Sequence, residues 1–219
     1  MSGRDSPRPQ AVPPEGREQE APGLRAVGTA DAKAAAPGGD KRSLSDAEVR
    51  LLREVFGDGL DYKPMRLVRM APFIAGLNGS RAFVLGNTLH LPSIDYDALW
   101  RGDRAKAWLL VHESTHVWQY QHRGIGYVAE SLWAQSFGEG YDYVKALRAG
   151  KPWTKMNPEQ QAQLIQDTFH GGYFEAPGVR FGAVGGKGAV LLPGGKTPEG
   201  FTDYTPVLVA ALDVLRKPA

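Results

Sequence analysis

Cysteine is absent from the 219-residue chain. This excludes disulfides, thiolate metal sites and cysteine nucleophiles together, and it leaves the redox compartment open. The chain also lacks any run of the roughly 18 to 20 apolar residues that a membrane-spanning helix needs, so no membrane span is expected. The first residues, Met1-Ser2-Gly3-Arg4-Asp5, carry no apolar secretory segment, and export by the Sec route is not expected either. Neither sign of charge dominates: 26 basic residues stand against 24 acidic ones, a formal net charge of +2. A polyanion footprint is therefore missing, and nucleic acid is not an expected partner. The remaining balance, 42% hydrophobic and 23% charged, is that of a soluble globular protein, and the length suits one domain with a tail.

Residues 1–42 contain no aromatic side chain, but six prolines and six glycines. Their only large apolar side chains are Met1, Val12, Leu24 and Val27, too few to offset the entropy of ordering the segment. Composition therefore divides the chain into a disordered leader or linker over 1–42 and a folded domain over 43–219.

Ser45-Asp46-Ala47-Glu48 has the spacing of a capping box, in which Ser and Glu side chains satisfy two orphan amides at a helix start. Val49, Leu52, Val55 and Phe56 continue it as one apolar stripe, and Gly57 offers a stop. Met65–Met70 reads as a strand. Ala82–Leu85, the turn Gly86-Asn87 and Thr88–Leu91 read as a hairpin that Pro92 ends. From about Asp103 to His122 the apolar residues point to every side, the pattern of a core helix. Further helices are expected at about 127–148, 158–169 and 205–216, with Asn157-Pro158 suited to starting the second. Residues 176–200, rich in Gly and Pro, read as a loop or an irregular hairpin around Gly185-Gly186. The fold class is α+β: a small strand and hairpin region against a mainly helical core.

Inside the core helix lies His112-Glu113-Ser114-Thr115-His116. Histidines four apart share one helix face, so both imidazoles can reach a single metal ion. Glu113, next to the first of them, can be aimed at a water on that ion and take its proton as general base. The chemistry so supported is hydrolysis of a peptide bond with one Zn²⁺. A metal is also the simplest partner for three ionisable groups among Leu, Val and Trp.

A catalytic zinc needs a third protein ligand. His122 would complete His-Glu-x-x-His-x-x-Gln-x-x-His, one residue from the metzincin pattern, which has glycine at the place of Gln119. Without that glycine the helix runs on and carries His122 about 9 Å along its axis from His116. There an imidazole suits the helix end. Glu159, in the first turn of the helix that Asn157-Pro158 starts, gives the gluzincin arrangement of two histidines from one helix and a glutamate from a later one. A first-turn glutamate equally suits the helix dipole. Asp167 and Glu175 are further candidates, and Asp167 could instead orient a ligating histidine.

The chain resembles the zinc metallopeptidase domains attached to, or encoded beside, the spike proteins of bacterial type VI secretion and related contractile injection systems. The resemblance is carried by Leu44-Ser45-x-x-Glu48 and Val55-Phe56-Gly57-Asp58, then Asp61-Tyr62 and Leu85-Gly86-Asn87-Thr88. Its most specific parts are His112 to Gln119 and Asn157-Pro158-Glu159-Gln160-Gln161-Ala162, and it covers about residues 44–170. It implies a zincin-like domain, Glu159 as third ligand and a protein or peptide substrate. It further implies an effector made in the bacterial cytoplasm and secreted by the injection system, acting as a toxin in the target periplasm. A spike carrier and a cognate immunity protein would be its partners. The chain departs from the pattern at Gln163, where a second glutamate often follows the alanine.

A tetrahedral oxyanion needs a donor, and Tyr141, Tyr143, His170 and Tyr173 flank the ligand regions, where each also reads as a packing or surface residue. Strand 88–91 could be an edge that pairs with an extended substrate or a plain hairpin strand. Trp100, Trp108, Trp118, Trp133 and Trp153 read as packing. Two rival functions stand beside the peptidase: a non-catalytic, zinc-stabilised structural or adaptor domain of a secretion particle, and a metal-free interaction domain with a coincidental motif.

Overall fold

The computed structural model describes residues 40–71, 81–124 and 140–219. Helix α1, Asp46–Phe56, starts at the expected capping box: Ser45 Oγ accepts from the Glu48 amide, and the Glu48 carboxylate accepts from the Ser45 amide at 2.7 Å. Glu48 has a second task. Its two carboxylate oxygens take both Nη atoms of Arg42 at 2.6 and 2.8 Å, with only 5% and 8% of the two side chains exposed. The guanidinium lies 5.2 Å from the Tyr96 ring and 5.1 Å from that of Trp100, close enough for cation–π attraction.

Arg42 therefore belongs to the folded domain, within strand β1, Lys41–Ser43. The compositional boundary between 42 and 43 cuts this strand and is corrected to the N-terminal side of Lys41; residues 1–39 lie outside the described residues. A lone arginine carries no apolar signal, and its burial depends on partners supplied by α1 and by helix α2, Ser93–Trp100.

One sheet has the order β1-β2-β4-β3, with β2 at Arg66–Arg69, β3 at Phe83–Leu85 and β4 at Thr88–Leu91. β2 runs antiparallel to β1 and parallel to β4, with Leu67 opposite Leu89, while β3 is antiparallel to β4, with Val84 opposite Leu89. Strand 88–91 is thus paired on both sides, which rules out the edge alternative and keeps the hairpin one; among the described residues β1 and β3 are the edges. The hairpin turn uses Gly86 at φ 61°, a conformation that glycine adopts without strain. Leu67, Leu89 and Leu91 are fully buried, against a core to which helix α3, Ala107–Arg123, contributes Leu110, Val111, Val117 and Trp118. α3 starts four residues later than expected, because Asp103 first caps a short 3₁₀ turn at Arg104–Lys106.

The expected helix at 127–148 is not continuous to its end: Gly140 stands at φ 56° and Asp142 caps a short helix α4, Tyr143–Arg148. Residues 125–139, with Trp133, lie outside the described residues. Helix α5, Pro158–His170, lies against α3. A second antiparallel sheet, in the order β6-β5-β7, joins β5 (Arg180–Val184), β6 (Lys187–Leu191) and β7 (Thr202–Asp203). The irregular region expected at 176–200 thus contains a regular hairpin turning at Gly185-Gly186. Helix α6, Thr205–Leu215, follows, and Arg216 reaches back from its end to the carbonyls of Glu54 and Val55 at 2.7 and 3.1 Å. Among the described residues no helix is long and apolar enough to cross a membrane.

Burial of the Arg42–Glu48 pair sets a stability expectation. Arg42→Met leaves the Glu48 carboxylate buried without its counter-charge, and the loss should reach about 3 kcal/mol or more. In a domain of this size that lowers the melting temperature by roughly 6 °C or more. A thermal scan showing a shift of under about 2 °C would mean that water reaches the pair freely.

Candidate metal centre

Helix α3 presents His112 and His116 one turn apart on the face towards α5, their ring centroids 5.0 Å apart and nearly edge-on. α5 brings Glu159 to that face. His112 Nε2 lies 3.5 Å from Glu159 Oε2, and His116 Nε2 lies 3.5 Å from Glu159 Oε1. The three residues each offer one ligand atom, all within 4.8 Å of one another, a spacing that can hold one metal ion.

Local chemistry sets this arrangement. Asn157 Oδ1 accepts from the Gln160 amide at 2.8 Å, and Gln160 Oε1 accepts from the Asn157 amide at 3.2 Å. With Pro158 at the first helical position, the start of α5 is fixed from both directions. Glu159 consequently sits in the first turn, where free amides favour its negative charge. The same cap holds the preceding loop: Asn157 Nδ2 donates to the Gly140 carbonyl and Gln160 Nε2 to that of Asp142, at 3.3 and 3.2 Å. Tyr141 lies between those two anchors, its ring 6.4 Å from that of His112.

Glu113, only 4% exposed, has its carboxyl raised above the usual range by burial, against the lowering pull of His112 and His116, with Glu159 raising it further. Burial alone would depress the His116 imidazole, but the hydrogen bond and charge of Glu159 more than offset this and push it up to about 9. Burial also raises the Tyr141 hydroxyl, and the Glu159 carboxylate adds to the effect by its charge and by accepting a hydrogen bond. His112 Nδ1 is buried with no hydrogen-bond partner among the described residues. Two imidazole nitrogens and a carboxylate converging in so dry a place fit a cation, which partners all three at once.

The remaining sequence candidates are elsewhere. His122 Nε2 donates to the Gly59 carbonyl at 2.8 Å, and its ring stacks on Trp118 at 4.3 Å. The helix runs straight through Gln119 and turns only at Gly124, at φ 75°, so His122 stays out of the group. Of the four oxyanion candidates only Tyr141 is at the centre. The Tyr143 hydroxyl donates to Asp167 Oδ2 at 2.8 Å and its ring stacks with Phe181. Tyr173 packs edge-on to Phe174, and its charged neighbours are Arg216 and Asp203. His170 is exposed at the last position of α5, three turns from Glu159. Asp167 accepts from Tyr143, Gln163 and Gln166 and orients no histidine, and Glu175 is exposed. Sequence reasoning missed the partner of His116, which is Gln119: Oε1 lies 2.8 Å from His116 Nδ1. The signal was available, since residue 119 lies three positions beyond His116 on the same face.

No family model matches the chain. The chain is 32% identical over 138 residues to the type VI secretion system spike protein VgrG2b of Pseudomonas aeruginosa, a match covering 58% of this chain and 13% of that protein. The similarity thus spans a small part of the relative's length. Among solved structures the chain is similar to the effector domain of Pseudomonas aeruginosa VgrG2b, with 25% identity and a TM-score of 0.44, over 67% of this chain and 80% of that one.

Two expectations follow from the geometry. Glu159→Ala should weaken metal binding by on the order of a hundredfold or more, while His122→Ala should leave it nearly intact. Calorimetric titration of metal-free protein checks both, and the reverse order would transfer the ligand role to His122. The second concerns pH. Below about 9 the metal-free His116 carries a proton that an ion must displace. Apparent affinity should therefore weaken about tenfold for each pH unit of acidification below that value and recover as pH rises towards it. Equal affinities at pH 7 and 8 would mean that the metal-free His116 holds no proton over that range, against the upward push of Glu159.

Proposed function

We propose that the chain is a zinc-dependent metallopeptidase of zincin type and an effector of type VI secretion. The observation that carries the peptidase reading is the convergence of both imidazole Nε2 atoms on the two oxygens of Glu159, with the Glu113 carboxylate buried beside them. Two histidines and one carboxylate are the donor set of a catalytic zinc that keeps its fourth position open. With one ligand atom from each residue, the three lie within 4.8 Å of one another, near enough to be drawn onto one ion. The likeness to VgrG2b supports the effector role, with secretion on a spike.

His112, His116 and Glu159 would hold the zinc, which would supply a more acidic water and polarisation of the substrate carbonyl. Glu113 accepts the proton of that water and passes it to the departing amine. Tyr141, held by the α5 cap next to His112, donates its hydroxyl to the developing oxyanion. The adaptor reading makes the same demands on His112, His116 and Glu159 but none on Glu113 or Tyr141.

That difference is the test. Glu113→Gln should keep the full zinc content and lose peptide hydrolysis by about 10² to 10⁴-fold. Tyr141→Phe should lose about 10² to 10³-fold in kcat, also with zinc retained. Wild-type protein that binds zinc but cleaves no peptide in a mixed library would favour the adaptor. Undiminished turnover in Glu113→Gln would remove Glu113 as the base.

A further inference from the structure

The ring nitrogen of His116 that faces away from Glu159 is Nδ1, 2.8 Å from Gln119 Oε1. Gln119 is 2% exposed, and the sense of its amide is fixed by what surrounds it. Gln119 Nε2 reaches the Pro158 carbonyl oxygen at 3.1 Å and Gln161 Oε1 at 3.0 Å. A backbone carbonyl only accepts, so the amide nitrogen must face Pro158 and the amide oxygen must face His116. Gln161, fully buried, is constrained in the same way. Its Nε2 donates to the Trp153 carbonyl at 2.9 Å, which turns its oxygen towards Gln119. The Trp153 indole N–H closes the chain on the Gln161 carbonyl at 3.3 Å.

We infer that Gln119 is a positioning residue that holds His116 as the Nδ1–H tautomer and leaves its Nε2 lone pair directed at the ion. These side-chain links donate in one direction, from His116 Nδ1 to Gln119, from Gln119 to Gln161, and from Gln161 to the Trp153 carbonyl. Only the Nδ1–H form of a neutral imidazole fits the first link. The same amide grips Pro158, the residue before Glu159, so it sets the position of α3 against the start of α5 at the level of the ligands. His112 has no such support, since its Nδ1 lacks a partner among the described residues. The His116 ring is therefore oriented before an ion displaces its Nε2 proton, and the His112 ring takes its orientation from the ion. The inference rests on the metal-site part of the function proposed above and not on hydrolysis.

Zinc titrated into the metal-free full chain tests it, with Gln119→Met and Gln161→Met as the two variants. Loss of a hydrogen bond that orients a ligating histidine weakens affinity about 10 to 100-fold, and Gln119→Met should fall in that range. Gln161→Met keeps Gln119 bonded to Pro158 and His116, and should stay within about threefold of wild type. The zinc-loaded wild type should show a slowly exchanging His116 Nδ1–H proton by NMR, retained in Gln161→Met and lost in Gln119→Met. Gln119→Met binding zinc as wild type does, or both variants weakened equally, would overturn the positioning role and leave the metal site standing. If Gln119→Met does not fold, the wild-type proton decides: slow exchange supports the role and rapid exchange overturns it. Wild-type protein that takes up no zinc overturns this inference and the metal site together.

Discussion

The contact between α3 and the capped start of α5 governs the rest of the molecule. It buries His112, Glu113 and Glu159 to 8% exposure or less, with His116 alongside, and groups that ionise are costly to take out of water unless they find partners. Every nearby polar feature answers that cost. Glu159 lies in the first turn of a helix, where the amides favour its charge. The imidazoles face its two oxygens from a single turn of α3. Gln119 satisfies the far side of His116 and itself bonds to the α5 backbone at Pro158. Sliding either helix by one residue would break the set together, so the polar contacts fix the register of a pair that apolar packing alone would hold less specifically.

One cap consequently does two jobs. Asn157 and Gln160 end the orphaned amides of α5 and also hold the carbonyls of Gly140 and Asp142. Starting α5 at the right residue places Glu159, and holding the loop beside it places Tyr141. The opposite end of α3 is anchored separately. Gln121 exchanges hydrogen bonds with the Asp61 backbone, and His122 donates to Gly59. Gly59 in turn lies so close to α6 that an added Cβ would stand 1.8 Å from the Leu215 carbonyl oxygen, so the loop at 57–62 tolerates no side chain there. His122 therefore ties α3 to the loop and the C-terminal helix, a task in which a metal has no part.

The site was legible where chemistry is written locally. Helical periodicity put His112 and His116 on one face, and Asn157-Pro158 announced the helix start that carries Glu159. The absence of glycine at 119 led to the correct expectation of a straight helix, but Gln119 was read only as an obstacle to a turn. Its role depends on a carbonyl from a different helix, which no local pattern discloses. The same limit hid β1: three residues form a strand because β2 offers an edge, and Arg42 is buried because Glu48, Tyr96 and Trp100 surround it. It also left open whether strand 88–91 is an edge. The hairpin with β3 follows from the Gly86-Asn87 turn, whereas parallel pairing with β2 is a long-range choice that periodicity does not specify. Of the four aromatic oxyanion candidates, sequence proximity could not separate Tyr141, beside the imidazoles, from Tyr143, two residues on and bonded to Asp167.

Ionisable groups buried where α3 meets α5 are expensive to keep. Burial holds the Glu113 carboxyl above its ordinary range, and Glu159, 2% exposed, faces both imidazoles there. A fold that keeps such groups dry gives up stability that an apolar interface would have retained. An ion binding only the folded arrangement returns part of it by mass action, in proportion to the logarithm of its concentration over its dissociation constant. The ligands come from two helices far apart in sequence, so that gain would act where α3 meets α5, the contact from which the other elements take their positions. Ligand geometry and fold stability are then coupled through the same few atoms, and a substitution at Gln119 or Asn157 should register in both.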